Sequence, residues 1–348
     1  MAKADKFVVK LTGDFYDAAG KPKFQQMGLE VFDETAHLEL SRFDDHRGEI
    51  ESDQIGGAQG VIVLTPAVTV KSVADPDDLI AFGRWGVGFE TVDVAACTKA
   101  GVLAFTVPGA VDHSVGEVTV MFMLNLTHHG RSKDAMVREG RWDDRNDYMG
   151  SELRERTFGA VGLGGIARAT IELLSSFKMN PPIAFDPIVD AATAKDLGVK
   201  LVSLDELMAE ADFVSVHCPM TDQTRGMIGA KEIAKMKPTA YIINTARGGI
   251  VDEDAMYDAL KEKRIAGAGL DCFVGEPLTE PHRFGELENT FLAPHASAWT
   301  HELWRDIGRT VSGGMYQLSL GEKPRGILNP ELFDQPEFVE KWKRHQHQ

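Results

Sequence analysis

Short apolar runs, separated by polar stretches of helical spacing, recur along almost the whole chain. "FVVKL" (7–11), "LEVFD" (29–33), "GVIVL" (60–64), "IAFGR" (80–84) and "VLAF" (102–105) have the length and composition of buried strands. Helical stretches fit between them, most clearly from Thr91 to Ala100. Alternation of this kind predicts a parallel sheet covered by helices. "VPGAVDHS" (107–114) interrupts it with Pro and Gly, a long helix over about 115–129 follows, and a charged, irregular stretch runs to 157.

A second alternating series begins at "TFGAVGLGGIARA". Its predicted strands are 158–161, 183–186, 199–202, 213–216, 240–244, 266–270 and 290–293. Ser203 and Glu206 have the spacing of a capping box. The helix after Val251 opens "DEDA" and closes "KEKR", with charges opposed to the helix dipole at both ends. "APHASAW" (293–299) ends the series, and an amphipathic helix over about 300–320 follows. Residues 300–348 hold no further strand series and must pack on an existing sheet. The pattern therefore predicts two doubly wound parallel-sheet domains, the second inserted into the first, with crossings near 109–113 and 295–300.

Composition narrows the function classes. The 348 residues are 43% hydrophobic, enough to build two cores. With 37 basic and 53 acidic residues the net charge is −16, which argues against nucleic acid or an anionic membrane as the main partner. Cys97, Cys218 and Cys272 are widely spaced and odd in number, so neither a disulfide framework nor a CxxC metal site is expected. A reduced, cytoplasmic setting fits. "MAKADKFVVKLTGD" lacks the apolar core of a signal peptide, and no apolar run approaches the roughly 20 residues of a membrane span.

The opening of the second series carries the first chemical signal. Gly162, Gly164 and Ala167 form G-x-G-x-x-A between a predicted strand and a predicted helix. Gly162 permits the tight turn, Gly164 lets the backbone reach a pyrophosphate, and Ala167 keeps the helix close to the sheet. The pattern alone is common. The next strand, however, ends in Asp186, about 20 residues on, where a carboxylate accepts ribose hydroxyls and repels a 2′-phosphate. The competing reading of Asp186 is a turn residue before Pro187. Together these features predict an NAD site, with NAD preferred over NADP.

Three ionisable residues follow the carboxyl ends of later strands, the edge at which open α/β sheets bind ligands. They are Arg247 in "INTARGGIVD", Glu276 in "GLDCFVGEP" and His295 in "LAPHASA". Singly, each has an ordinary alternative as a surface ion pair, a loop residue or a structural histidine. Together they suit hydride transfer to a ketone. His295 can deliver the proton, Glu276 is expected to stabilise the imidazolium, and Arg247 can hold a substrate carboxylate through paired N–H bonds.

Over nearly its whole length the chain resembles the D-isomer-specific 2-hydroxyacid dehydrogenases. The resemblance rests on "VGLGGIARA", "FDP", "VHCPMTDQTRGMIG", "INTARGGIVDEDAMYDAL", "AGAGLDCFVGEP" and "APHASAWT". It implies a flavodoxin-like substrate domain of residues 1–110 and 299–348 with a Rossmann-type NAD domain of residues 111–298 inserted into it. It implies Arg247, Glu276 and His295 as the catalytic set, with His295 the acid in reduction and the base in oxidation. It places Gly164, Gly165 and Ile166 at the cofactor phosphates, Asp186 at the ribose, and Cys218, Pro219 and Thr224 on the adenine side. Thr245, Ala246 and Asp271 are implied near the nicotinamide, and Val87 and Gly88 in "GRWGVGFETVD" as backbone donors to the substrate carboxylate. Hinged closure over a small 2-oxo or 2-hydroxy acid, and a homodimer built through the helix and arm of 115–150, complete the implied picture.

Trp85 and Trp299 depart from the family pattern and are expected either to line the pocket or to pack between domains. A formate-oxidising relative is disfavoured because those enzymes resemble the pattern with an amide where Glu276 stands. A phosphoglycerate dehydrogenase with a C-terminal regulatory domain is disfavoured by the short stretch after residue 330. An NAD-sensing corepressor on the same scaffold is the rival from another class, disfavoured by acidity and the lack of long tails. No metal site is expected: His128 and His129 are adjacent on a helix and face apart.

Overall fold

The computed structural model describes residues 6–347; residues 1–5, part of the segment read for a signal peptide, lie outside that range. Two compact units are present, one up to Val111 and from Trp299 onward, the other Asp112–Ala298.

In the first unit five strands form a sheet: β1 (Phe7–Leu11), β2 (Leu38–Arg42), β3 (Gly60–Val63), β4 (Ala81–Arg84) and β5 (Leu103–Phe105). Their order is β2-β1-β3-β4-β5 and every pairing is parallel, the flavodoxin-like winding. The helix His301–Ser319 buries Leu303, Ile307, Val311, Met315 and Leu318 at three- and four-residue spacing. It can approach closely because β3 and β4 present Gly60 and Gly83, where an added Cβ would press on Met315 and Val311.

Three local expectations change here. The run 29–33 is not a strand: Val31–Glu34 is a short helix anchored by buried Phe32, and the strand is Leu38–Arg42. Phe32 is the one buried residue of that helix, whereas β2 is an edge strand with only Leu38 fully buried, so its pattern is weak. Trp85 belongs to this unit's core. It is 1% exposed, edge-on to Phe15 at 4.8 Å, with Gly308 of the helix His301–Ser319 against its ring. Trp299 is 56% exposed, edge-on to Phe24 and Trp304.

The second unit holds β6 (Phe158–Val161), β7 (Ile183–Phe185), β8 (Lys200–Leu201), β9 (Phe213–Val216), β10 (Tyr241–Asn244), β11 (Gly267–Leu270) and β12 (Thr290–Leu292). The order is β12-β11-β10-β9-β6-β7-β8, again all parallel. This is the Rossmann winding with one further strand, and its order reverses between β6 and β9. Strands β6, β9, β10 and β11 are buried throughout, as a sheet covered on both faces requires. The helix Asp112–His128 packs on the helix Gly165–Leu174, where Gly116 meets Ala169, Thr170 and Leu173. The predicted capping box of Ser203 and Glu206 is formed. The stretch 130–157, expected to be irregular, contains the helix Gly130–Glu139. Only Met136 of that helix is buried, so it lacks the apolar stripe that would reveal it.

Candidate functional site

The switch point between β6 and β9 brings the glycine turn against the end of β9. Gly162 has φ 96°, and a Cβ there would meet the backbone of His217 and Cys218 at about 3 Å. Only glycine tolerates both conditions. Gly164 caps the helix Gly165–Leu174 and faces open space, leaving room at the helix N-terminus for an anion. Ile166 lies in the first turn of that helix, and Ala167 is fully buried beneath it. Asp112 was not foreseen here: its carboxylate packs against Gly165, and burial raises its pKa.

Asp186 directly follows β7. Its Oδ2 accepts the Leu163 N–H at 2.7 Å, and its Oδ1 accepts those of Ile188 and Val189 at 2.8 and 3.0 Å. Burial alone would raise its pKa, but these three N–H groups and the charge of Arg168 outweigh burial and hold it below the usual carboxylate value. The side chain is therefore an ionised acceptor tied to the glycine turn, with open acceptor capacity left mainly on Oδ2.

Around the end of β9, Cys218 is partly buried, and burial pushes its thiol up to about 11. The Thr224 hydroxyl donates to the Pro219 carbonyl at 2.6 Å, so these two residues fix a tight turn. At the end of β10, the Thr245 hydroxyl is buried without a hydrogen-bond partner. The Asn244 side chain accepts the Ala246 N–H and donates to the Arg247 carbonyl, which shapes the turn presenting Arg247.

Glu276 and His295 meet directly, Nδ1 to Oε2 at 2.7 Å. The other carboxylate oxygen accepts the Phe273 N–H at 2.6 Å. Burial pushes Glu276 up, but the His295 and Phe273 hydrogen bonds, with the charges of His295 and Arg247, bring it below its ordinary value. His295 itself sits at φ 53°, a left-handed conformation costly for a residue with a Cβ. Asp271 holds the following turn: its Oδ1 accepts the N–H groups of Ala296 and Ser297 and the Ser297 hydroxyl, the last at 2.9 Å. That carboxylate is 6% exposed, and its pKa is raised by burial.

Thus β6, β7, β9, β10, β11 and β12 of one sheet each place a candidate residue just past the carboxyl end. The glycine cradle, the ionised Asp186 and the unpartnered Thr245 hydroxyl fit a dinucleotide. Val87 and Gly88 lie in the other unit, half-buried in the loop after β4. Among the described residues, no cluster of His, Cys, Asp and Glu is arranged to hold a metal ion, and no helix is long and apolar enough to cross a membrane.

The winding and its occupied edge define a Rossmann-type dinucleotide domain. The family model for the D-isomer specific 2-hydroxyacid dehydrogenase NAD binding domain matches residues 120–297. The chain is 34% identical over 314 residues to a glyoxylate reductase of Korarchaeum cryptofilum, covering 88% of this chain and 94% of that one. It is also 34% identical over 319 residues to a D-3-phosphoglycerate dehydrogenase of Synechocystis, covering 91% of this chain but 56% of that protein. The chain spans only about half the length of the curated phosphoglycerate dehydrogenases it matches. The NAD complex of a D-isomer specific 2-hydroxyacid dehydrogenase from Lactobacillus delbrueckii shares the fold. Its TM-score is 0.76 at 23% identity, with 92% of this chain and all of that one covered. The chain belongs to the D-isomer-specific 2-hydroxyacid dehydrogenase family.

Proposed function

We propose that this chain is an NAD-dependent oxidoreductase interconverting a small D-2-hydroxy acid and its 2-oxoacid, with His295 as the acid/base. The observation that carries the reading is the 2.7 Å contact between His295 Nδ1 and Glu276 Oε2 on the same sheet edge as the glycine turn. The cofactor, when bound, supplies the two-electron redox chemistry. With Nδ1 engaged by Glu276, Nε2 is the atom left to give a proton to the substrate oxygen, and to take one back in oxidation. Glu276, held ionised, fixes the ring and balances the imidazolium. Arg247 binds the substrate carboxylate, assisted by the backbone N–H groups of Val87 and Gly88.

Gly162 is assigned to the tight turn of the cofactor site, Gly164, Gly165 and Ile166 to the cofactor phosphates and Asp186 to the ribose. Cys218, Pro219 and Thr224 are assigned to the adenine side, and Thr245, Ala246 and Asp271 to the nicotinamide side. An ionised Asp186 favours NAD over NADP, since a 2′-phosphate would meet a like charge. A cytoplasmic homodimer joined through 115–150 is part of the same reading. Val137, Trp142 and Met149, between 65% and 82% exposed on that stretch, support it as apolar surface left uncovered in one chain. Mixing the protein with NADH and a panel of 2-oxoacids, glyoxylate among them, tests the function through loss of reduced-nicotinamide absorbance. Turnover of one or more acids supports it; NADH binding without any turnover contradicts it and favours a sensor.

A further inference from the structure

The proton-transfer pair depends on a loop, and the loop is anchored from outside the pair. Consecutive backbone N–H groups are captured by two different carboxylates: Phe273 N–H by Glu276 at 2.6 Å, and Val274 N–H by Glu253 Oε1 at 2.8 Å. Glu253 is the first residue of the helix Glu253–Lys261, a rigid support beyond the Arg247 turn. Its Oε2 lies 3.5 Å from His282 Nε2, and both side chains are largely buried, at 14% and 17% exposed. His282 Nδ1 accepts the Phe284 N–H at 3.5 Å, which turns Nε2 toward the Glu253 side. The His282 ring is stacked on Phe284 at 5.0 Å and packs on Phe273 at 4.9 Å. On the other side, Gly248, next to Arg247, is pressed so closely on the Phe273–Val274 peptide that a Cβ would collide with it.

We infer that Glu253, packed beside His282, is a positioning residue that sets Glu276 against His295 by fixing the Phe273–Val274 peptide. Glu253 touches neither Glu276 nor His295, and acts through the backbone between them. This inference rests on the proposed role of the Glu276–His295 pair, deepens it, and assigns work to two residues outside the catalytic set. The charges that bear on the pair are Arg247 at the end of β10 and Asp271 at the end of β11. Arg283 pairs outward with Asp254 and serves neither.

The test compares wild type with Glu253→Ala, which loses both contacts, Glu253→Gln, which keeps an acceptor for Val274, and Glu253→Asp. The His295 Nδ1–H resonance, the signature of its hydrogen bond to Glu276, is followed by NMR and assigned against His295→Gln, and NADH affinity and thermal midpoint are measured in parallel. With the best acid of the panel, kcat in Glu253→Ala should fall about tenfold or more while KM changes little. The His295 Nδ1–H signal should weaken or move, because a loosened Glu276 no longer holds the 2.7 Å hydrogen bond. Glu253→Gln should recover most of both losses, and NADH affinity should not change. A His295 Nδ1–H signal unchanged in Glu253→Ala, or kcat lost only in proportion to a lower thermal midpoint, overturns the inference. If wild type reduces no 2-oxoacid, the functional reading fails, yet the Nδ1–H signal still decides whether Glu253 positions the pair.

Discussion

At the residue scale, the account turns on which atoms remain available once neighbours are satisfied. His295 Nδ1 is taken by Glu276, and Glu276 is taken on both oxygens, so the pair has little rotational freedom. Arg247 follows a turn braced by Asn244, which directs a planar fork rather than a flexible point charge. Arg247→Lys is therefore expected to lower kcat/KM for a 2-oxoacid by about a hundredfold, since an ammonium cannot make the paired carboxylate contact. Steady-state kinetics with NADH held saturating would check this, and near-normal turnover would remove Arg247 from the substrate clamp.

At the element scale, the sequence made legible whatever produced a strong period or a fixed spacing. Strands β6, β9, β10 and β11 were readable because fully buried strands are largely apolar runs bounded by Gly, Pro and charge. G-x-G-x-x-A and Asp186 were readable because strand–turn–helix geometry sets their separation. What stayed hidden was held by contacts between distant segments. Edge strand β2 shows little burial, the helix Gly130–Glu139 has no apolar face, and nothing local to Trp85 says that it packs on Phe15 rather than in a pocket or between domains. The same limit hid Glu253 and His282. "DEDA" announced only a helix start, and nothing local says that its first carboxylate reaches Val274. Packing at that junction gives a separate prediction. Gly248→Ala places a methyl against rigid backbone and should destabilise the protein by about 1–3 kcal/mol while disabling turnover. Chemical denaturation checks the first effect, and an unchanged midpoint would show that the junction can yield.

At the scale of the whole molecule, two parallel sheets provide two cores, and the candidate chemistry of the second unit is gathered at one sheet edge. One buried group there predicts a property of the entire fold. Both ring nitrogens of His217 are buried without partners, and desolvation pushes its pKa from 6.5 to about 3. The folded state therefore keeps this imidazole neutral where the unfolded chain binds a proton. Its contribution to stability is intact above pH 6.5 and declines as pH falls from 6.5 toward 3, with a slope of at most about 1.4 kcal/mol per pH unit. His217→Phe should flatten that limb of a stability-versus-pH curve, and an unchanged limb would assign acid sensitivity to other groups.

The most direct measurement is made on His295→Ala, with NADH affinity and reduction of the best 2-oxoacid determined on the same preparation. The account predicts NADH binding close to wild type and a loss of kcat/KM of about a hundredfold or more, because only the proton donor has been removed. Turnover near the wild-type level would contradict it, since the imidazole set against Glu276 would then not be the group that handles the proton.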